Sequence, residues 1–108
     1  MELLTGSLRA TLLKAYHDNA SNRPDPMILV KFFCPWSSWT WYAIDFDGND
    51  TLFCLVDGFE LELGPVSLSE LESIRGKGGL RIERDLHFRP KRLSVIREKL
   101  AEKRFLSE

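Results

Sequence analysis

Three ionisable side chains, Glu83, Asp85 and His87, alternate along a segment that the sequence predicts to be a β-strand. Alternate side chains of a strand point to the same face about 6 to 7 Å apart, so these three would share one surface. Two carboxylates and an imidazole in that arrangement can hold a divalent metal ion or serve as general acid and base. Asp45 and Asp47 alternate in the same way on a second predicted strand and could join them. The five residues define one hypothesis, a metal-dependent hydrolase or nuclease.

The same residues also suit a structural role. Arg81, Arg84 and Arg89 are interleaved with the acids, so the surface can be a solvated network of ion pairs. The sequence contains no recognised metal-ligand spacing such as H-E-x-x-H. Neither Cys34 nor Cys54 has a basic neighbour that would activate its thiol, which argues against nucleophilic catalysis. We therefore expect no cofactor and favour a non-enzymatic protein.

The charge pattern indicates surfaces for a protein partner. Fifteen Lys and Arg against sixteen Asp and Glu give a formal net charge of −1, but the charges are segregated. Residues 45–72 contain carboxylates and no base, whereas residues 75–104 are rich in Lys and Arg. Oppositely charged regions can each bind a partner of complementary charge. The side chains that we expect to contact such a partner are Trp36, Trp39, Glu60, Glu62, Arg89, Lys91 and Arg92.

A nucleic-acid-binding regulator is the third hypothesis. Arg89, Lys91 and Arg92 adjoin a basic last helix and could contact phosphates, with an affinity that falls steeply with salt. Bases could stack, in the manner of single-strand binders, on the tryptophans of the sheet with help from one lysine: Trp36, Trp39, Trp41 and Lys31. The near-zero net charge and the acids beside the tryptophans oppose this hypothesis.

Hydrophobic periodicity and turn signals predict the elements that would position these residues. Helices are expected at about 5–18 and 92–105, and strands at 27–34, 39–47, 51–56, 59–63 and 80–88. Thr5 would cap the first helix. Ser67 and Glu70 have the spacing of a capping box for a short middle helix, and Gly76 would end that helix in the left-handed conformation.

Strict alternation assigns faces within the strands. In the segment 39–47, Asp45 would share a face with Trp41, and Phe46 would point to the opposite face. In the segment 59–63, Phe59 and Leu63 would point inward, and the glutamates between them would point outward.

A chain of 108 residues, 44% of them apolar, is long enough for one hydrophobic core and too short for two. We expect a single α+β domain over residues 1–108, in which an antiparallel meander of about four to five strands packs against an N-terminal, a short middle and a C-terminal helix. The cysteines are interpreted as buried thiols. With no signal peptide or membrane-spanning segment in the sequence, they indicate the cytoplasm. The pattern is compatible with a monomer or a homodimer.

One part of the sequence resembles a known family. A tryptophan-bearing strand with Trp41, Asp45 and Asp47 precedes Leu52-Phe53 and Asp57, and residues 63–88 then read LG-x-VSLSELE-x-IRG-x-x-GL-x-IERDLHF. Over about residues 27–90 the chain resembles the family called domain of unknown function 2958. That family has no established activity, and its members are typically carried by plasmids, integrative elements and phages, near genes for conjugation and for evading host defence. The resemblance implies an accessory protein of a mobile genetic element that binds a host-defence or conjugation protein, and it implies no catalytic residues.

Overall fold

This computed structural model describes residues 2–106 of the chain, which contain three α-helices and seven strands joined by turns and loops. The helices are α1 (Gly6–His17), α2 (Leu68–Ser73) and α3 (Leu93–Leu106). The strands are β1 (Met27–Ile28), β2 (Val30–Phe33), β3 (Thr40–Phe46), β4 (Thr51–Asp57), β5 (Leu61–Ser67), β6 (Glu83–Arg84) and β7 (Lys91–Arg92). The fold is α+β, as the sequence predicts.

The strands form two antiparallel sheets. The large sheet has the order β5-β4-β3-β2-β6, and the small one pairs β1 with β7. Strands β2 to β5 are neighbours both in sequence and in space, which confirms the predicted meander. No helix within residues 2–106 is both long enough and apolar enough to cross a membrane.

A hydrophobic cluster lies on each face of the large sheet. Helices α1 and α2 cover one face, with Leu12 and Leu71 buried there, and we call it the α1 face. Helix α3 covers the other, with Ile96 and Leu100 buried there, and we call it the α3 face. The helices therefore form layers on both sides of one sheet, which is why β3 is buried along nearly its whole length.

Both predicted helix starts are confirmed. The Thr5 hydroxyl accepts a hydrogen bond from the N–H of Leu8 at 3.1 Å, and the Ser67 hydroxyl accepts one from the N–H of Glu70 at 3.2 Å. Each bond satisfies one of the backbone N–H groups that the first turn of a helix leaves without a partner.

The predicted end of α2 is wrong. The helix stops at Ser73, and Gly76 has an extended backbone with φ of −98° in place of the left-handed conformation. Gly76 instead allows a close approach, because a Cβ atom there would lie 2.7 Å from the ring of Trp36. A glycine can serve either purpose, and sequence spacing alone does not separate the two.

Residues 27–34 do not form the single predicted strand. The segment is interrupted at Leu29, which separates β1 from β2. Ile28 is buried on the α3 face and Val30 on the α1 face, although residues two apart in an unbroken strand share a face. At Leu29 the chain therefore changes which of its side chains point to each face. Of the two strands, only β2 belongs to the large sheet.

Strand β3 contains a bulge that reverses its alternation. The register with β4 shifts next to Asp45, and Ile44 is the extra residue. Beyond this point Phe46 packs on the α1 face together with Trp41, whereas Asp45 lies opposite Phe53, a residue of the α3 face. The predicted faces of Asp45 and Phe46 are wrong for this reason.

The predicted strand over 80–88 is wrong for most of its length. Only the two residues of β6 pair with the sheet. Leu80 and Leu86, apolar residues that an unbroken strand would place opposite the ionisable ones, are 44% and 73% exposed. The residues that follow β6 form a turn and not a continued strand. The predicted acid and imidazole cluster therefore does not share one strand face.

Candidate functional site

The structure does not bring the predicted metal ligands together. No group of three or more His, Cys, Asp or Glu side chains within residues 2–106 could hold a metal ion. Glu83 lies on β6 and is exposed, and His87 lies in the turn that follows. The shared strand face that would have aligned them with Asp85 ends after Arg84.

Asp85 holds that turn in place. Its carboxylate accepts a hydrogen bond from the N–H of His87 at 2.9 Å, and it lies 3.8 Å from the ammonium group of Lys31. The N–H of Asp85 donates to the carbonyl of Lys31 at 2.9 Å. An aspartate that bonds to a backbone N–H two residues on is a common turn device, so Asp85 serves the local structure.

Asp47 has a similar role in the hairpin between β3 and β4. One carboxylate oxygen accepts hydrogen bonds from the N–H groups of Asn49, Asp50 and Thr51 at 2.8, 3.1 and 3.1 Å. These bonds, that from Asn49 first, lower the pKa of Asp47 below its ordinary value. The carboxylate is engaged with its own turn.

Asp45 is a buried acid, with 3% of its surface exposed. Burial raises the pKa of its carboxyl, while hydrogen bonds from Ser21 and from the N–H of Phe53 oppose the rise. Among the described residues, its Oδ2 atom has no hydrogen-bond partner. Burial, and then the charge of Asp45, also raise the pKa of the Cys54 thiol. The bulge at Ile44 decides on which face of the sheet Asp45 is buried, and strand periodicity gave no sign of the bulge.

A second set of predicted residues does converge. Trp39 and, from a later part of the chain, Glu60 and Glu62 line one groove of about 300 Å³. We call it the acidic groove, and its remaining walls are Val56, Gly58 and Phe59.

The aromatic part of the acidic groove is well defined. The rings of Trp39 and Phe59 meet edge to face with their centroids 5.2 Å apart, and Trp41 lies behind them at 6.0 Å from Trp39. A Cβ atom on Gly58 would lie 2.5 Å from the Trp39 ring, so the ring needs a glycine there. Phe59, which was predicted to face inward, is 90% exposed.

Arg104 of α3 fixes the turn that presents Phe59. Its guanidinium donates to the carboxylate of Asp57 at 2.5 Å, to the carbonyl of Gly58 at 2.9 Å and to the carbonyl of Phe59 at 3.2 Å. Charge-assisted hydrogen bonds of this kind restrain the backbone more firmly than neutral ones. From the sequence, Arg104 is one of several basic residues of the last helix. Nothing in the pattern indicates that it supports this groove.

The acidic groove adjoins an open sheet edge. β5 is an outer strand seven residues long, and one of its backbone edges has no partner strand in the described part of the chain. Pro65 lies within it, opposite Phe53, and proline is tolerated at an edge where its nitrogen faces solvent. The other outer strand, β6, is only two residues long. Leu63 of β5 was expected to be half-buried and facing inward, and it is 39% exposed.

The remaining predicted contact residues lie elsewhere. Trp36 stacks beside Gly76 and is 41% exposed. Lys91 and Arg92 form β7, where Arg92 donates to the carbonyl of Asp25 at 3.2 Å. Arg89 is exposed just before this strand. These residues are separate from the acidic groove.

Comparison with known proteins identifies the family and nothing narrower. No curated protein matches the chain, and no solved structure matches it. One family model matches residues 3–104, a longer stretch than the 27–90 that carries the resemblance in the sequence. The chain belongs to the family of that model, described as "Protein of unknown function (DUF2958)".

Proposed function

We propose that this protein is a non-enzymatic binding module whose acidic groove and β5 edge take up an extended, basic segment of a partner protein. The observation that carries the proposal is the convergence of Trp39, Phe59, Glu60 and Glu62 on one groove beside the open edge of β5. Aromatic residues are enriched where proteins bind one another.

The open edge of β5 supports an extended partner. An unpaired edge presents a row of backbone N–H and C=O groups that another strand can pair with. Peptides that add a strand in this way gain affinity from main-chain hydrogen bonds and specificity from alternate side chains. β5 has seven residues, and all but Pro65, which lacks an N–H, can take part fully in pairing with a segment of similar length.

The charges of the groove support a basic partner. The ion pairs within residues 2–106 are Lys14–Asp18, Lys31–Asp85 and Asp57–Arg104. Glu60 and Glu62 are exposed and take part in none of these pairs. Carboxylates beside open aromatic rings suit Lys or Arg, whose cation can approach both.

The biological setting follows from the family resemblance and is part of the proposal. We place the partner among conjugation or host-defence proteins encountered by a mobile genetic element, and we place the encounter in the cytoplasm. The buried, unpaired thiols of Cys34 and Cys54 suit a reducing compartment.

The test is selection of peptides from a random 12-residue display library on the immobilised protein, followed by titration of the enriched peptides. We expect sequences in which Lys or Arg alternates with apolar residues. Replacing both glutamates (Glu60→Gln with Glu62→Gln) should weaken binding about fivefold. Phe59→Ala should weaken it about tenfold, because the lost ring is an anchor.

A matched control removes two exposed acids of α3, Glu98→Gln with Glu102→Gln, and should leave the affinity unchanged. Selection of peptides without a basic bias would contradict the proposal. Equal weakening by the groove variant and by the α3 variant would contradict it as well, since binding would then depend on overall charge alone.

A further inference from the structure

A second pocket, of about 160 Å³, opens on the α3 face of the sheet, away from the acidic groove. Its polar wall is made by Lys31, Lys91 and Lys99, which come from β2, β7 and α3. Its apolar wall includes the rings of Tyr42 and Phe88. We call this site the lysine pocket.

The aromatic rings hold two of the three ammonium groups in the lysine pocket. Lys31 Nζ lies 5.5 Å from the centroid of the Tyr42 ring, and Lys91 Nζ lies 5.3 Å from that of Phe88. The two rings meet edge to face at 6.2 Å. Cations at this distance over a ring face are attracted to it, so the side chains are positioned before any ligand arrives.

The positive charge of the pocket is only partly neutralised. Asp85, 3.8 Å from Lys31, is the acid paired with these lysines in the described part of the chain. The three lysines that line the pocket and the one paired carboxylate sum to a charge of about +2, which a bound anion would offset. Much of the remaining lining is apolar, including Ile96 and Leu100 of α3.

We infer that the lysine pocket binds a phosphate monoester, with the dianionic phosphoryl group at the lysines and an apolar group against Tyr42 and Phe88. A phosphate monoester carries a charge of about −1.5 to −2 at neutral pH, which matches that of the site. The pocket is smaller than the roughly 300 to 1,000 Å³ usual for drug-sized ligands, so the ligand is small. This inference uses residues outside the acidic groove and does not depend on the proposed protein partner.

The probe is phenyl phosphate, titrated into the purified protein at about pH 7.5, where its second proton is largely lost. Calorimetry gives the affinity, and the backbone amide shifts of β2 and α3 give the place of binding. We expect binding at these elements, weakened about tenfold by Lys91→Gln and by Lys99→Gln. Phenyl sulfate, which has the same ring but one negative charge, should bind more weakly.

Lys103→Gln is the matched control, because Lys103 lies on α3 one turn beyond Lys99 and does not line the pocket. It should leave the affinity for phenyl phosphate unchanged. Absence of binding by the wild-type protein would overturn the inference. Equal weakening by Lys103→Gln, or equal affinity for phenyl sulfate, would also overturn it. Each of these results leaves the peptide experiment at the acidic groove unaffected.

Discussion

Asp45 places a buried carboxyl group on the α3 face of the sheet, where the charge of Asp47 adds to the effect of burial. Because burial raises its pKa, the carboxyl binds a proton more readily in the folded chain than in the unfolded one. Its contribution to stability is therefore present below the unfolded value of about 3.9 and is lost as the pH rises through the folded value.

The variant Asp45→Asn tests the predicted direction in which the stability changes with pH. We expect its melting temperature to equal or exceed that of the wild-type protein at neutral pH, because a neutral amide needs no charge to be buried. The difference between wild type and variant should move in favour of the wild type as the pH falls towards 4, about the ordinary pKa of a free Asp. Melting curves of both proteins across this range give the difference directly, and a difference that favours the wild type more at higher pH would contradict the assignment.

Gly58 allows the Trp39 ring to lie where it does in the acidic groove, because even one added side-chain atom would clash with the ring. Gly58→Ala should displace the Trp39 ring, since its new Cβ atom would lie 2.5 Å from that ring. The indole N–H resonance of Trp39 should shift, and the affinity for the selected basic peptides should fall. Gly64→Ala on β5 is the steric control, because no heavy atom lies within 4 Å of the added Cβ. Similar indole shifts in both variants would show that the close contact is not the cause.

At the scale of elements, α3 makes its apolar contact with the sheet through one row of buried residues, Leu93, Ile96 and Leu100. Ile96→Ala should lower the free energy of unfolding by about 2 to 5 kcal/mol, because it leaves a cavity in this cluster. Its neighbour Val95 is 42% exposed, so Val95→Ala should change the stability by only about 0.5 kcal/mol or less. Denaturant titration of both variants measures these values, and equal losses would show that α3 is not packed in this orientation.

The elements that the sequence predicts well are those with local signals. Thr5 and Ser67 start helices through their own side chains, and the turn at Asp47 is held by hydrogen bonds to the next few residues. Such signals are visible within a few residues of sequence.

The elements that the sequence predicts poorly depend on contacts between distant residues. The bulge at Ile44 and the change of face at Leu29 depend on whether the neighbouring residues pack on the α1 face or on the α3 face of the sheet. Gly76 fits the pattern of a helix stop, but a glycine is needed there because the Trp36 ring leaves no room for a side chain. For the same reason, only part of the site was predictable: Glu60, Glu62 and Trp39 could be selected for their chemistry, whereas the exposure of Phe59 needs the turn held by Arg104.

At the scale of the whole molecule, the charge segregation seen in the sequence becomes two separate surfaces. The acidic groove lies beside the β5 edge, and the lysine pocket lies between the sheet and α3. A formal net charge of −1 conceals this arrangement. Two partners of opposite charge could therefore bind without competing for the same residues.

The central claim is that an extended basic segment pairs with the open edge of β5. The most direct measurement is amide hydrogen exchange of the protein with and without a selected basic peptide, read residue by residue. The account predicts that the peptide slows exchange of those amides of Leu61–Ser67 that face the open edge, where Pro65 has none, and leaves the amides of α3 unchanged. Slowed exchange at β6 or β7 without an effect on β5, or no change at saturating peptide, would contradict it.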